Sequence, residues 1–483
     1  MYYIGIDLGT SAVKGLLIDE NGAVLRENSK TYPVFYPSDG WSEQNPEDWF
    51  FAVNRLIDEL SDGVEEKIAA LSVGGQMHGL VVLDGNDNVV RPCILWNDGR
   101  TEKQTQYLNE VVGKEFLSEN TANIAFAGFT APKLLWIEEN EPENFKKIRK
   151  IMLPKDYIAY RLTGSFTTDF SDASGTLFLD VKNKCWSQKM LDILHIDRLM
   201  LPELKESYEV IGRIKDGFKL KGILVAAGAG DNAAAAIGTG ATTNGATNIS
   251  LGTSGTVFTS CDKFSVGENN SLHAFCHANG KYHLMGCILS AASANKWWIE
   301  DILKSKDYEG EVAFAKEKAG NNGVYFLPYL MGERSPHNDV NARGAFIGMR
   351  LDTSRQEMSL AVLEGVAFAL RDCVEAARRS GVKISSATLC GGGAKSKLWR
   401  RIIADVLGAK IMIPEVEQGP GYGAAILAMV AAGEYSSVEE AVKNTVQVKE
   451  LVIPDKKGVD LYEKKYKTYK SLYPCLKEVF KTM

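Results

Sequence analysis

The tetrapeptide Leu-Gly-Thr-Ser occurs twice in this chain, at residues 8–11 and again at 251–254, about half the chain apart. Both copies sit in the same surroundings. The first follows Tyr3-Ile4-Gly5-Ile6-Asp7 and precedes the apolar run Val13 to Ile18, which contains Lys14. The second follows Thr247-Asn248-Ile249-Ser250 and precedes Gly255-Thr256-Val257-Phe258. Strand, a small turn rich in hydroxyls, strand is the pattern of a β-hairpin. Its recurrence at the start of each half predicts an internal duplication. A chain of 483 residues also exceeds what one hydrophobic core usually holds, so two lobes are expected. A glycine in such a turn lets the backbone approach a phosphate, with N–H groups and Thr/Ser hydroxyls as donors. Two facing turns would clamp a polyphosphate from both sides. Two unrelated hairpins would use the same residue types, so the repeat alone leaves that alternative open.

A third glycine element lies near the end. Ser386 to Cys390 reads as a strand, followed by Gly391-Gly392-Gly393-Ala394. Ser396 can then cap a helix carrying Leu398, Ile402, Ile403, Val406 and Leu407, stopped by Gly408. Strand, glycine turn, helix is a nucleotide-binding arrangement in many folds. Neither G-x-G-x-x-G nor G-x-x-x-x-G-K-[ST] is completed, which argues against a P-loop NTPase.

Several classes drop out on composition. The 45% apolar and 24% charged residues suit a globular chain, not a disordered one. The net charge of −6 comes with both signs interspersed, so no basic stripe points to nucleic acid or an anionic membrane. No run approaches the roughly 20 apolar residues of a membrane span, and the N-terminus lacks a signal-peptide pattern, so a cytoplasmic location is expected. The eight cysteines form no C-x-x-C pair and read as free thiols. His273-Ala274-Phe275-Cys276-His277 imitates a metal cluster, but on a strand Cys276 faces away from both histidines. With no second cluster, a structural strand is the expected reading.

Taken in order, a set of segments resembles the FGGY carbohydrate kinases of the actin-like ATPase superfamily. They are residues 4–11, Gly75-Gln76-Met77-His78-Gly79, Leu95-Trp96-Asn97-Asp98-Gly99-Arg100, Gly128-Phe129-Thr130-Ala131-Pro132-Lys133 and Leu153-Pro154-Lys155-Asp156-Tyr157. Gly230-Asp231-Asn232-Ala233-Ala234, residues 251–255, Gly332-Glu333-Arg334-Ser335-Pro336-His337-Asn338 and the Gly391-Gly392-Gly393 turn complete the set. The resemblance runs from Ile4 to about Val430, and the second and third segments favour the xylulokinase branch. It implies an α/β fold of two ribonuclease-H-like lobes with mixed sheets and an active-site cleft between them. We place the lobes at 1–245 and 246–483, sugar on the first and nucleotide mostly on the second. The implied reaction is ATP-dependent phosphorylation of D-xylulose to D-xylulose 5-phosphate, with ATP and Mg2+ and no nucleic-acid or membrane partner. A homodimer is left open. Another ketose or polyol, such as ribulose, is the nearest alternative substrate. A non-metabolic actin-like ATPase is a remote one, since it needs no sugar segments.

The resemblance also assigns residues. Asp231 becomes the general base that takes the proton of the attacking sugar hydroxyl; from the residues alone it is equally an N-cap. Asp7, otherwise an ordinary turn aspartate, helps hold Mg2+ through water. Thr10, Ser11 and Lys14 approach the phosphates, although Lys14 also suits a solvent-facing strand position. Met77, His78, Asn232 and Trp96 touch the sugar, with Trp96 equally suited to a core. Gly252, Thr253 and Ser254 form the second phosphate turn, and Gly392, Gly393 and Ser396 pass near adenine and ribose. Ser354-Arg355-Gln356-Glu357 is a capping box opening a long helix, apolar on most sides, for which a buried position bridging the lobes is expected. A hinge is expected too, since closure excludes water from phosphoryl transfer. Ala12 and Ala229 stand where family members often carry glycine, which leaves the turn shape there in question.

Overall fold

Both Leu-Gly-Thr-Ser segments are hairpin turns. The structure is a computed structural model that describes residues 1–313 and 316–483. Strand β1 (Tyr2–Leu8) pairs antiparallel with β2 (Ala12–Asp19), Asp7 opposite Lys14 and Leu8 opposite Val13. Two further strands of the first lobe are β3 (Val24–Thr31) and β4 (Ile68–Gly75). The others are β5 (Val210–Arg213), β6 (Leu224–Ala226) and β7 (Ala229–Gly230). They form one sheet in the order β5-β6-β4-β1-β2-β3, with β7 also on β4. In the second half, β8 (Thr247–Leu251) pairs antiparallel with β9 (Gly255–Cys261), Leu251 opposite Gly255. With β10 (His273–Cys276), β11 (Tyr282–Ile288), β12 (Ser386–Cys390), β13 (Lys410–Pro414) and β14 (Val448–Val452) they run β10-β11-β9-β8-β12-β13-β14.

The two orders superimpose. An antiparallel run β3-β2-β1 continues through parallel β4 and β6; likewise β11-β9-β8 continues through parallel β12 and β13. The repeated turn occupies the same place in each, which is the duplication the sequence suggested. Neither Ala12 nor Ala229 takes a positive φ, so no glycine is needed at either.

Alternation along β1 decides what lies on each side of the first sheet. Ile4, Ile6 and Leu8 enter a core with Trp49, Val53 and Leu56 of the helix Pro46–Ser61. Tyr3, Gly5 and Asp7 face the other way. There Gly5 meets a helix from the far end of the chain, α3 (Gly419–Ala431), so closely that a Cβ on Gly5 would stand 2.0 Å from the Gly421 carbonyl oxygen. The same helix presses on α1 (Asp231–Gly238), where a Cβ on Gly423 would lie 1.8 Å from the Ala234 carbonyl oxygen. Glycine is required at these crossings for lack of room, not for turn geometry.

The capping box holds: Ser354 accepts from the Glu357 N–H, and helix α2 runs Arg355–Arg379. Its expected place does not. It is buried, but its neighbours are β9, β11, the strand Tyr325–Leu327 and the helix Lys397–Leu407, all in the second half. An all-round apolar surface forces burial without saying in which lobe. Helix α3 joins the two halves by packing on the first sheet and on α1. No helix among the described residues is long and apolar enough to cross a membrane.

Candidate active site

At the end of β1, Asp7 lies deep at the base of the cleft, with part of its surface open to it. Burial, the nearby Asp231 and the opposing pull of Lys14 leave its carboxyl pushed up to about 7. Lys14 is its cross-strand partner and is exposed. Asp231 opens α1. The helix cap is Gly230, and the Asp231 carboxylate does not accept from an amide two or three residues on, as an N-cap would. It accepts instead from the Asn232 backbone N–H at 2.7 Å and from Asn232 Nδ2 at 2.8 Å. Burial outweighs these bonds and pushes the carboxyl up to about 6. Behind it, the Gly230 N–H donates to Ser171 Oγ at 3.1 Å, and Ser171 is bonded to Asp169. Asp169 belongs to a buried cluster in which Lys155 Nζ lies 2.6 Å from Asp156 and 2.9 Å from Asp169. The helix start that carries Asp231 is thus anchored to a charged knot under the cleft.

The first hairpin turn joins this floor to the side wall. Thr10 Oγ1 donates to Gln76 Oε1 at 3.2 Å and accepts from Trp96 Nε1 at 2.9 Å. Gln76 Nε2 donates to Gln44 Oε1, and Gln44 Nε2 donates to the Thr10 carbonyl at 2.7 Å. Trp49 Nε1 donates to the same Gln44 oxygen. Trp96 is 43% exposed, so it belongs to the wall, not to a core. Ser11 is exposed at the turn. The neighbours of Trp96 serve a different purpose. Asp98 accepts from Arg100 and from the Ser42 N–H, and Arg100 pairs with Glu43 while stacking 3.7 Å over Trp41. That half of the Trp-Asn-Asp-Gly-Arg segment is a buried latch.

Met77 is buried against Gly230 and Gly175. His78 follows it in the left-handed region, at φ 69°. Four contacts hold it there. Its carbonyl accepts from Lys133 Nζ at 2.8 Å and Thr130 Oγ1 at 3.2 Å, and its ring stacks on Phe129 at 4.5 Å. Its Nδ1 lies 2.8 Å from the Gly175 carbonyl, an acceptor only, so Nδ1 carries the proton and Nε2 is left as an acceptor. Burial and the Lys133 charge push the imidazole down to about 3, so it is neutral. Lys133 itself, fully enclosed, is pushed down to about 7.

The second lobe supplies the opposite wall. Thr253, Gly392, Gly393 and Ser396 line a cavity of about 790 Å³ together with Trp297 and Tyr308. Gly252 and Thr253 are held from behind: their carbonyls accept from Ala292 N–H at 2.8 Å and Ala291 N–H at 2.9 Å. Ser254 completes the turn, its carbonyl accepting from the Gly252 N–H. Ser396 caps the following helix, accepting from the Trp399 N–H, and Gly408 ends that helix at φ 58°. The His273 segment is the strand β10, as expected, and it is also a lobe junction. Ala274 exchanges two bonds with the Asn123 side chain, and the Cys276 N–H donates to Ser174 Oγ. Among the described residues, no group of three or more His, Cys, Asp or Glu is placed to hold a metal.

That arrangement suits a metal arriving with its substrate. Mg2+ commonly takes one or two carboxylates and fills its remaining positions with phosphate oxygens and water. The Asp7 carboxyl, raised by burial and by the neighbouring Asp231 charge, is the donor such a dication would relieve.

Sequence reading located both hairpin turns. It did not single out Gln44, Gln76 as a side chain, or Lys133 and Thr130 as braces. Gln76, Lys133 and Thr130 lie inside the quoted segments, so position was visible where partner was not.

Two related sheets, a hairpin turn in each, and a carboxylate floor between them define a sugar or polyol kinase of the actin-like class. The chain belongs to the FGGY family of carbohydrate kinases: its N-terminal domain matches residues 2–238 and its C-terminal domain residues 247–432. It is 40% identical to the xylulose kinase of Lactococcus lactis, covering 99% of this chain and 97% of that protein. Among solved structures, xylulose kinase from Lactobacillus acidophilus superimposes with a TM-score of 0.94 at 30% identity, covering 100% of this chain and 99% of that one. Gluconate kinase from the same species superimposes almost equally, with a TM-score of 0.93 at 30% identity over 98% of each chain.

Proposed function

We propose that this protein transfers the γ-phosphoryl group of ATP to D-xylulose, giving D-xylulose 5-phosphate and ADP, with Asp231 as general base. The observation that carries the base assignment is the setting of Asp231: deep in the cleft, oriented by Asn232, beside Asp7 of the first phosphate turn. Xylulose is the sugar in the name of a relative 40% identical over 99% of this chain.

The division of labour follows the lobes, 1–245 and 246–483. Met77, His78, Trp96 and Asn232 hold the sugar on the first, with the His78 Nε2 accepting from a hydroxyl. Thr10, Ser11 and Lys14 meet the phosphates from below, and Gly252, Thr253 and Ser254 from above. Gly392, Gly393 and Ser396 border adenine and ribose. Held by Asp7 through water, Mg2+ would neutralise charge on the phosphates. As the sugar oxygen bonds to phosphorus and the bond to ADP breaks, the hydroxyl proton passes to the Asp231 carboxylate. A carboxylate cannot remove that proton in the ground state. It orients the hydroxyl and takes the proton late, which suits a loose transition state. Its raised position at about 6 makes it a better acceptor than an ordinary aspartate while leaving it ionised at neutral pH. Membership of a family of carbohydrate kinases supports a cytoplasmic setting.

The test is ADP release over D-xylulose, D-ribulose, glycerol, xylitol and gluconate. Preference for any but D-xylulose overturns the substrate. Asp231→Asn should lose most turnover, by about a hundredfold or more, while calorimetry shows the sugar still bound. The wild-type kcat/KM should fall on acidification through about pH 6, as the Asp231 carboxylate takes its proton. Near-normal kcat in the variant would refute the base.

A further inference from the structure

Glu333 is a buried carboxyl for which the reaction above has no use. Only 2% of it is exposed. Its backbone is pinned: the Glu333 N–H donates to the Asp339 carbonyl at 2.9 Å, and the Asp339 N–H to the Glu333 carbonyl at 2.8 Å. From that base one carboxyl oxygen, Oε1, accepts from the Leu289 N–H at 3.0 Å and the Arg334 N–H at 2.8 Å. The other, Oε2, is sealed from solvent and has no hydrogen-bond partner among the described residues. Burying a carboxyl half satisfied costs free energy that an apolar side chain of similar size would not, so the position calls for a task.

The chain beyond Leu289 gives the task. Leu289 follows directly on β11, and two residues later the backbone passes behind the second hairpin turn. The Thr253 carbonyl accepts from the Ala291 N–H at 2.9 Å and from Ser293 Oγ at 2.6 Å, and the Gly252 carbonyl accepts from the Ala292 N–H at 2.8 Å. Each of these carbonyls shares a peptide unit with the next residue's N–H. The units are trans, so carbonyl and N–H point in opposite directions. Gripping the Gly252 and Thr253 carbonyls from behind therefore aims the Thr253 and Ser254 N–H groups away from residues 291–293. Neither N–H has a partner among the described residues, and Thr253 lines the 790 Å³ cavity.

Resting on the reading of residues 252–254 as a phosphate turn, we infer that Glu333 is a positioning residue for ATP: by fixing Leu289 it sets residues 291–293, and through them aims the Thr253 and Ser254 N–H groups at the phosphates. It works as an uncharged acceptor. Burial pushes the carboxyl up to about 8, so at neutral pH it is the acid, and a glutamine amide offers the same acceptor oxygen.

Calorimetric affinities for ATP and for adenosine, measured without sugar on wild type, Glu333→Leu and Glu333→Gln, test this. Adenosine lacks the phosphates and reports the rest of the nucleotide site. Glu333→Leu should weaken ATP about ten- to a hundredfold and adenosine by less than about threefold. Glu333→Gln should stay within about threefold of wild type for both. Equal losses of ATP and adenosine, wild-type ATP affinity in Glu333→Leu, or a Gln variant as weak as the Leu variant would overturn the inference. Wild type that binds adenosine as tightly as ATP would refute the phosphate-turn reading, and the role of Glu333 with it. Circular dichroism melts check folding. If Glu333→Leu does not fold, Glu333→Asp, which draws the carboxyl back by one methylene, should show the same ATP-only loss and is read by the same criteria.

Discussion

Asp231 is pushed from 3.8 to about 6 because burial removes the water that would stabilise its charge. The same shift is a statement about stability. The folded protein binds this proton more tightly than the unfolded chain, so its contribution is fully present below about pH 4 and is lost as pH rises through about 6. Above that, keeping the carboxylate ionised inside the cleft costs about 3 kcal/mol. Asp231→Asn removes the cost. In the absence of ligands it should melt above wild type at pH 7.5, with the difference closing toward pH 4; a scanning-calorimetry series checks this. Asp7, held near 7, pulls in the same direction. A site that costs stability when empty is repaid when a hydroxyl or a cation supplies what water does not.

At the scale of elements, the helix Gly419–Ala431 sets the tightest tolerance. Gly423→Ala would place a Cβ 1.8 Å from the Ala234 carbonyl, a backbone atom that cannot swing aside. The helices must separate, and a loss of about 3 kcal/mol or more is expected by urea denaturation. This helix also shows where sequence reading reached its limit. The two hairpins were legible because their turn chemistry is local, as was the capping box at Ser354. Burial of the helix 355–379 was legible from its apolar faces, but its lobe was not, because periodicity reports that a surface is covered and not by what. The cleft behaves alike. Asp7, Asp231 and the glycine turns carry their meaning in adjacent residues. Lys133 reaches His78 across 55 residues, and Trp96 reaches Thr10 across 86. No local pattern records such pairings; only the folded chain brings them together.

Across the whole molecule, the first sheet is finished by the second half of the chain. Besides helix 419–431, the Tyr3 hydroxyl donates to Glu434 at 2.7 Å, the Tyr422 hydroxyl to the Gly22 carbonyl at 2.9 Å, and the Tyr435 hydroxyl to the Glu20 carbonyl at 2.8 Å. Gln418 adds a bond to Glu27. These contacts fasten the second half of the chain to the first sheet. A fragment of residues 1–245 would lack the cover over Tyr3, Gly5 and helix 231–238. It should be insoluble or show no cooperative thermal transition, whereas the full chain shows one.

A kinase of this kind has water as a rival acceptor, since a base that orients a sugar hydroxyl orients water as well. The Thr10 hydroxyl, shared between Trp96 and Gln76 at the first hairpin turn, bears on that contest. Held from both sides, the turn keeps one posture. Thr10→Val cuts both bonds, frees the turn and should raise ATP hydrolysis relative to sugar phosphorylation, measured as phosphate released per sugar phosphate formed. The coupling of the two would then reside in a single oxygen atom.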